Sequence, residues 1–250
     1  MTTPSALTHQ ARKHLNTDPI MAALIKAVGP CTFVPRMERE PFESLARAIS
    51  HQQLNGTAAQ RILARFIALN PGAPFPVPAQ VLAAPDDRLR AVGFSFAKIA
   101  ALKDLAAKTL DGVVPSGAEL GALGDIEIIE RLTTVRGIGR WTVEMMLIFQ
   151  LGRRDVLPVD DFGVRNGFRL AYGLAGMPLP RALAKFGERW RPYRTMAAWY
   201  LWRAVDLSRT ERLPARIGRR PRVAIAAKPA APPKKPALRK RAARRSGARK

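Results

Sequence analysis

Apolar residues recur at intervals of three and four positions along most of the chain, the spacing that places them on one face of an α-helix. Signals for β-strands are scarce. The segments that carry the helical pattern are 43–69, 79–92, 96–112, 125–135, 140–152, 160–174 and 194–207. The pattern therefore predicts an all-α protein with roughly ten helices.

Residues that break or begin helices lie within and between these segments. Asn55-Gly56 predicts a break inside 43–69, and the stretch from Pro71 to Pro78 predicts a loop. Gly112 lies where a helix should end, and Asp125 lies where the next helix should begin. Further on, Gly137-Ile138-Gly139 predicts a tight turn that joins two helices.

The chain is strongly basic, with a formal net charge of +23 from 42 Lys and Arg residues against 19 Asp and Glu residues. Thirteen of the basic residues and no acidic residue lie from Arg219 to Lys250, so residues 1–218 keep a charge of +10. This surplus predicts an anionic partner, and nucleic acid is favoured over a membrane surface. The Ala/Pro/Lys/Arg-rich C-terminus has too little apolar surface to pack. It predicts a disordered tail that attaches to the DNA backbone, or one that only improves solubility.

The length of 250 residues and the hydrophobic share of 47% allow one or two domains. We divide the chain into a flexible N-terminus over 1–14, a helical domain over 15–212 and the basic tail over 213–250. Cys31 is the single cysteine, which excludes a disulfide framework and four-cysteine zinc or iron–sulfur sites.

No stretch of about 18 apolar residues occurs, so we expect no membrane span. The N-terminus lacks the apolar core of a signal peptide, and we expect a protein of the reduced cytoplasm. The three histidines, His9, His14 and His51, are not spaced as metal ligands, and no glycine-rich nucleotide motif is present. The sequence thus predicts no cofactor and no catalytic metal.

The Gly137-Ile138-Gly139 turn is a candidate binding element. Glycine lets the backbone approach another surface closely. The helix that follows begins with unpaired N–H groups and a partial positive charge, which suit a DNA phosphate, and Arg140 adds a full charge there. A packing turn between two helices has the same local sequence, so the turn alone leaves both alternatives open.

Four segments in a fixed order favour the binding interpretation: AISHQQLNGTAA (48–59), VGFSFAKIAALKDLA (92–106), VRGIGRWTVEMM (135–146) and VLPVDDFGVRNGF (156–168). Together they resemble the helix–hairpin–helix DNA glycosylases, in particular the compact form of the DNA-3-methyladenine glycosylase II group, over residues 15–210. The resemblance implies a two-lobed helical fold with the active-site cleft between the lobes. It also implies a monofunctional enzyme of base excision repair. Such an enzyme flips alkylated purines of the 3-methyladenine and 7-methylguanine class out of duplex DNA, hydrolyses the N-glycosidic bond and leaves an abasic site.

Breaking an N-glycosidic bond builds positive charge on the sugar, which a nearby carboxylate stabilises. The resemblance gives this role to Asp161, and we interpret Asp160 as a helix cap. From the residues alone, an Asp-Asp pair at a helix start could be two caps. The resemblance places Trp141 where strand-cutting relatives carry the lysine that forms a Schiff base, which predicts base removal without strand cleavage.

An aromatic pocket suits an alkylated purine, because a cationic base is attracted to the electron-rich face of a ring. The resemblance places Trp141, Trp202 and Met145 around the base. Met145 takes the place of a tyrosine found in some members, which leaves the lesion range open. For Trp199 and Tyr200 we favour a core position, and for Trp202 pocket and core both remain open.

A side chain has to fill the gap that a flipped base leaves in the duplex. The resemblance places Gln53 at this wedge position, with His51 and Leu54 beside it. The expected phosphate contacts are Gly137, Ile138, Gly139, Arg140, Thr142 and Lys98, although Lys98 could equally lie on a solvated face. The resemblance also implies that the backbone carbonyls of Thr133 and Val135 hold a monovalent cation.

The expected partner is damaged double-stranded DNA, bound by a monomer in the cytoplasm of a bacterial-type cell, in association with the nucleoid. Two alternatives stay open. One is a glycosylase for other damaged purines, deaminated or oxidised. The other is a non-catalytic helix–hairpin–helix DNA-binding protein, against which Asp161 and the aromatic residues argue.

Overall fold

The computed structural model describes residues 4–36, 38–54 and 56–213, and these form helices joined by turns and loops. In chain order the helices are α1 (Pro4–Leu15), α2 (Pro19–Val28), α3 (Pro41–His51), α4 (Gly56–Ala68), α5 (Pro78–Ala83), α6 (Asp86–Val92), α7 (Phe96–Leu110), α8 (Gly117–Ala122), α9 (Asp125–Thr133), α10 (Arg140–Phe149), α11 (Phe162–Tyr172), α12 (Pro180–Gly187) and α13 (Arg194–Arg209), with a 3-10 helix (Glu188–Trp190) before α13. No β-strand forms within these ranges, and the prediction of an all-α fold is confirmed.

The first lobe comprises α3 to α10 around one hydrophobic core. Its central helix is α7, which begins at Ser95 because the side chain of that residue accepts a hydrogen bond from the backbone N–H of Lys98. The apolar face of α7 buries Ile99, Leu102 and Leu105. Since α7 packs against both α3 and α5, it holds the lobe together.

The second lobe comprises α2, α11, α12 and α13 around a separate core rich in aromatic residues. Phe168 and Tyr172 of α11 stack with ring centroids 4.3 Å apart. The buried Asp18 caps α2 and also accepts a hydrogen bond from the Tyr172 hydroxyl at 2.6 Å. This contact joins α2 to α11, and α11 in turn packs along α13.

The lobes meet near the end of α10. Trp202 of α13 and Phe33, from the segment after α2, pack against both cores. The ring of Phe33 lies edge-on to Phe149 at the end of α10, with centroids 5.5 Å apart. The end of α10 therefore lies at the junction of the two lobes.

Several elements differ from the predicted pattern. The segment 79–92, predicted as one piece, is two helices, because Pro85 interrupts the chain between α5 and α6. Residues 1–14, expected to be flexible, include most of α1, which packs through the buried residues Ala11 and Leu15. Apart from Leu213, the predicted basic tail over 213–250 lies outside the described residues. No helix in the described ranges is long and apolar enough to cross a membrane.

Candidate active site

Asp161 is the N-cap of α11, and its Oδ1 accepts a hydrogen bond from the backbone N–H of Val164 at 2.7 Å. The backbone of Asp161 is extended, which turns the carboxylate back over the first turn of the helix. Asp160 is exposed and does not cap the helix, so our interpretation of it as the cap is wrong. The capping role that we gave to Asp160 falls on Asp161 instead.

Two indole rings hold the Asp161 carboxylate from different lobes. Trp141 of α10 donates its Nε1–H to Oδ2 at 2.9 Å, and Trp202 of α13 donates its Nε1–H to Oδ1 at 2.8 Å. With the N–H of Val164, three donors fix the orientation of one carboxylate. The site is therefore assembled from three helices that are separated in the chain, and its geometry depends on how the two lobes meet.

Gly163 makes room for this arrangement. A Cβ atom at this position would lie 2.8 Å from Cδ1 of Trp202 and 3.0 Å from Oδ1 of Asp161. Carbon atoms do not approach so closely without displacing a neighbour. Sequence reasoning missed this residue, although a glycine two positions after the predicted catalytic aspartate was a visible signal.

A cleft of about 740 Å³ lies between α3 and α10. Trp141 lines it and also contacts Asp161, although among the described residues Asp161 is not part of the cleft wall. Trp141, Met145 and Phe149 of α10 form one wall, and residues of α3 face them. Trp141 is 48% exposed, so its ring is available for stacking. Among the described residues, the cleft wall includes Trp141 and Met145 but not Trp202. Trp202 stacks behind Phe149 at 5.5 Å and 29°.

The other aromatic residues of α13 belong to the core. Tyr200 is fully buried and donates a hydrogen bond from its hydroxyl to the Gly29 carbonyl at 3.0 Å, while Trp199 is 9% exposed. Burial raises the pKa of Tyr200 to about 12. These contacts agree with the core position that we favoured for both residues.

The segment from His51 to Leu54, which we call the wedge loop, lies at the cleft mouth. Gln53 is exposed and has a φ of 56°, a left-handed conformation that is uncommon for residues other than glycine. Leu54 is 40% exposed, and the ring of His51 bonds to the Arg47 carbonyl at 2.9 Å. The residue that sequence reasoning passed over is Gln52, whose Nε2 donates to the Gly137 carbonyl at 2.8 Å.

The turn between α9 and α10, residues 134–139, forms the predicted hairpin. Gly137 has a φ of 78°, which glycine adopts without strain. Ile138 is 4% exposed and anchors the turn in the core, while its backbone N–H bonds to the Val135 carbonyl at 3.0 Å.

Within the described residues, the N–H groups of Gly139, Arg140 and Trp141 have no acceptor, so they remain available to an anion. Thr142 lines the cleft, and its N–H bonds to the Gly139 carbonyl.

Arg140 extends from this helix start into solvent, and in the described part of the chain only its Nε is held. The Nε atom bonds to Oε1 of Glu144 at 2.8 Å, whereas the Arg140 side chain is 62% exposed and that of Glu144 is 4% exposed. Burial raises the pKa of the Glu144 carboxyl above its ordinary value, and the contact with Arg140 opposes that shift. The two terminal nitrogens of Arg140 have no partner among residues 4–36, 38–54 and 56–213, so they are available to a phosphate.

Lys98 does not point freely into solvent. Its amino group donates to the Ser50 carbonyl of α3 at 2.8 Å, and burial lowers the pKa of the Lys98 ammonium. Its predicted contact with a phosphate stays a prediction.

The backbone at the predicted cation position supplies suitable ligands, because hard cations prefer carbonyl oxygens. The Val135 carbonyl accepts the N–H of Ile138, and the Thr134 carbonyl accepts the ammonium of Lys108. A positive charge from the protein itself therefore already lies on the carbonyl of Thr134, the residue between Thr133 and Val135 in the chain. No cluster of His, Cys, Asp or Glu in the described part of the chain could hold a metal ion.

The site combines a hairpin whose following helix starts with available N–H groups, a carboxylate held by two indole N–H groups, and an aromatic cleft. These features define a helix–hairpin–helix protein of the DNA glycosylase class. Residues 46–192 match the model of the HhH-GPD superfamily of base excision DNA repair proteins. The chain belongs to this superfamily.

Named relatives cover most of the chain. It is 44% identical over 186 residues to DNA-3-methyladenine glycosylase 1 of Schizosaccharomyces pombe, which covers 74% of this chain and 82% of the relative. It is 36% identical over 202 residues to the alkylbase DNA glycosidase-like protein mag2 of the same organism, covering 80% and 95%.

Two solved structures share the fold. The 3-methyladenine DNA glycosylase Mag1 of S. pombe, in complex with abasic DNA, aligns with a TM-score of 0.70 and 41% identity, covering 80% of this chain and 98% of that one. A DNA-3-methyladenine glycosidase from Bacillus halodurans aligns with a TM-score of 0.73 and 32% identity, covering 84% and 92%.

Proposed function

We propose that the protein is a monofunctional DNA glycosylase that removes alkylated purines from duplex DNA by hydrolysis, in base excision repair. The observation that carries the proposal is the Asp161 carboxylate, held by Trp141 and Trp202, with Trp141 also lining an aromatic cleft. A relative with 41% identity was solved with abasic DNA, which supports DNA as the partner.

The reaction follows from the charges involved. A 3-alkylated or 7-alkylated purine is cationic and leaves the sugar as a neutral molecule, taking the bonding electrons with it. Positive charge then develops on the sugar ring, and the Asp161 carboxylate stabilises it until water adds to the sugar carbon. The half-exposed ring of Trp141 attracts the cationic base before the bond breaks.

Residue 141 also decides how the reaction ends. A tryptophan has no amine and forms no Schiff base with the sugar, so the strand stays intact and an abasic site remains. Gln53 enters the space of the flipped base, and the hairpin N–H groups with Arg140 hold a phosphate. The basic tail adds nonspecific attraction to DNA, and the protein acts as a monomer in the cytoplasm.

The test is release of purine bases from methylated duplex DNA by the full chain. We expect release by the wild type and none by Asp161→Asn, which keeps an oxygen to cap α11 and should still bind DNA. Borohydride should trap no protein–DNA adduct. A wild type that binds DNA but releases no base from any lesion would make the chain a binding protein, and a trapped adduct would overturn the monofunctional reaction.

A further inference from the structure

One face of α7 is directed at the hairpin and at the end of α3, next to the wedge loop, which are the elements that contact DNA in the proposed function. Lys98, Ala101, Asp104 and Lys108 follow each other at intervals of three and four residues, so they share one side of the helix. At the start of this row, the Lys98 ammonium bonds to the Ser50 carbonyl in the last turn of α3. That turn leads directly into the wedge loop.

The rest of the row holds the hairpin. Oδ2 of Asp104 accepts the backbone N–H of Arg136 at 2.7 Å, and the Lys108 ammonium donates to the Thr134 carbonyl. Between them, Ala101 packs under the hairpin, because a Cβ at Gly137 would lie 3.3 Å from the Ala101 Cβ. Lys108 also bonds to Asp104 at 3.0 Å, so the two contacts form one network.

The charges of this row match the groups that it holds. Lys98 meets the carbonyl end of α3, where the helix dipole favours a cation. Partial burial alone would raise the pKa of Asp104, but the Arg136 N–H and the charge of Lys108 outweigh it and hold the pKa below its ordinary value. The bond from Gln52 to the Gly137 carbonyl joins the wedge loop to the hairpin directly, without α7.

We propose that α7 is a brace that fixes the wedge loop relative to the hairpin, with Lys98 and Asp104 as positioning residues for base flipping. The hairpin binds the DNA backbone while the wedge loop fills the space of the flipped base. Base flipping therefore depends on the distance between the hairpin and the wedge loop. Neither side chain touches DNA in this role. The proposal rests on the proposed function.

The first test compares two substrates under single-turnover conditions: a methylated purine paired in a duplex, and the same lesion in a short bubble where it is already unpaired. Lys98→Met and Asp104→Ala should lower the excision rate on the paired lesion by about ten-fold and on the bubble by less than about two-fold. Asp104→Asn, which keeps an oxygen for Arg136, should recover most of the rate. The matched control is Lys103→Met, since Lys103 lies elsewhere on α7 and pairs with Asp86.

The second test separates a positioning residue from a phosphate ligand. Affinity for an abasic duplex is measured across salt concentrations. Arg140→Met should reduce the slope of log K against log salt by about 0.9, the value for one phosphate contact, whereas Lys98→Met should leave the slope unchanged.

Equal losses on paired and bubble substrates, no loss in either brace variant, or a reduced salt slope for Lys98→Met would overturn the brace. Asp104 is partly exposed, so its variants keep the core and carry the test if Lys98→Met does not fold. If the wild type releases no base from either substrate, the proposed function fails instead.

Discussion

The Nε1–H of Trp202 lies 2.8 Å from Oδ1 of Asp161, and the contact passes over the bare backbone of Gly163. Trp202 cannot shift easily, because its ring is stacked on Phe149. Asp161 cannot shift easily either, because the same oxygen caps α11. The position of the carboxylate thus depends on a residue that has no side chain.

Replacing Gly163 with alanine should lower excision strongly while DNA binding is retained. Within a helix, Gly→Ala ordinarily stabilises by about 0.5–1 kcal/mol. Here the new Cβ would lie 2.8 Å from Trp202, so the indole or the carboxylate has to move. We expect the single-turnover rate to fall by at least about ten-fold, since a misplacement of catalytic groups by about 1 Å can cost about 100-fold in rate.

The matched control for that variant is Gly121→Ala in α8, where a Cβ would meet no atom within 4 Å. It should leave the rate unchanged. If Gly163→Ala is as active as Gly121→Ala, Trp202 and Asp161 can move apart to accept a Cβ atom without loss of activity.

The Trp202→Phe variant tests the hydrogen bond separately from the stacking. Phenylalanine retains a ring to pack on Phe149 but has no donor for Asp161. A hydrogen bond to a charged group contributes about 1.5–3 kcal/mol, so we expect excision to slow by about ten-fold or more. The measurement is the single-turnover rate on a methylated duplex at saturating enzyme.

Trp199→Phe is the control for Trp202→Phe, since Trp199 is a buried residue of the same helix that packs on Tyr200. It should lower the melting temperature and leave the rate per folded molecule unchanged. If both variants slow excision equally, the effect of Trp202 comes from packing and not from its contact with the carboxylate.

Sequence reasoning reached the helices whose apolar residues repeat over several turns, such as α7 and α10. It did not separate α5 from α6 or find α8, because helices of six or seven residues show too few repeats of the pattern. It left residues 1–14 flexible because the docking of α1 depends on the buried side chains of Ala11 and Leu15, which form too short an apolar pattern to detect.

The candidate site divides in the same way. Trp141 and Asp161 could be named from motifs, whereas their 2.9 Å contact is set by how the lobes meet. The links from Gln52 to Gly137 and from Lys98 to Ser50 join residues 85 and 48 positions apart. Such contacts leave no periodic signal in the chain. Asp160 is an error of another kind. We assigned the helix cap to Asp160, but Asp161 is the cap, and two adjacent carboxylates in a sequence do not indicate which of them caps the helix.

Removal of the tail before Arg219 should weaken DNA binding mainly at low salt. In the full chain, the 13 basic residues of this segment release counterions when they bind the DNA backbone, and this attraction does not depend on the base sequence. The preference among damaged bases should therefore stay the same. The measurement is affinity for an abasic duplex at several salt concentrations, together with release from a lesion panel. A changed order of lesions after truncation would mean that the tail takes part in base choice.

The Glu144→Gln variant should change how stability depends on pH. Burial raises the pKa of Glu144 above its ordinary value of 4.5, so the folded state binds this proton more tightly than the unfolded state. The resulting stabilisation is complete below pH 4.5 and is lost as pH rises through the folded-state pKa. Urea unfolding between pH 4 and pH 8 should therefore show the wild type losing stability relative to Glu144→Gln as pH rises.

Glu127→Gln is the control for the pH experiment, because Glu127 pairs with Arg131 at the same i,i+4 spacing that joins Arg140 to Glu144. The side chain of Glu127 is 46% exposed and that of Glu144 is 4% exposed, so burial is the main difference between the two pairs. The stability difference between Glu127→Gln and the wild type should change little over the same range. If stability depends on pH in the same way in Glu144→Gln and Glu127→Gln, the buried carboxyl loses its proton at its ordinary pKa and is ionised at neutral pH. Arg140 would then be held at the hairpin by a full ion pair, and its guanidinium would bind a DNA phosphate with less net positive charge around it.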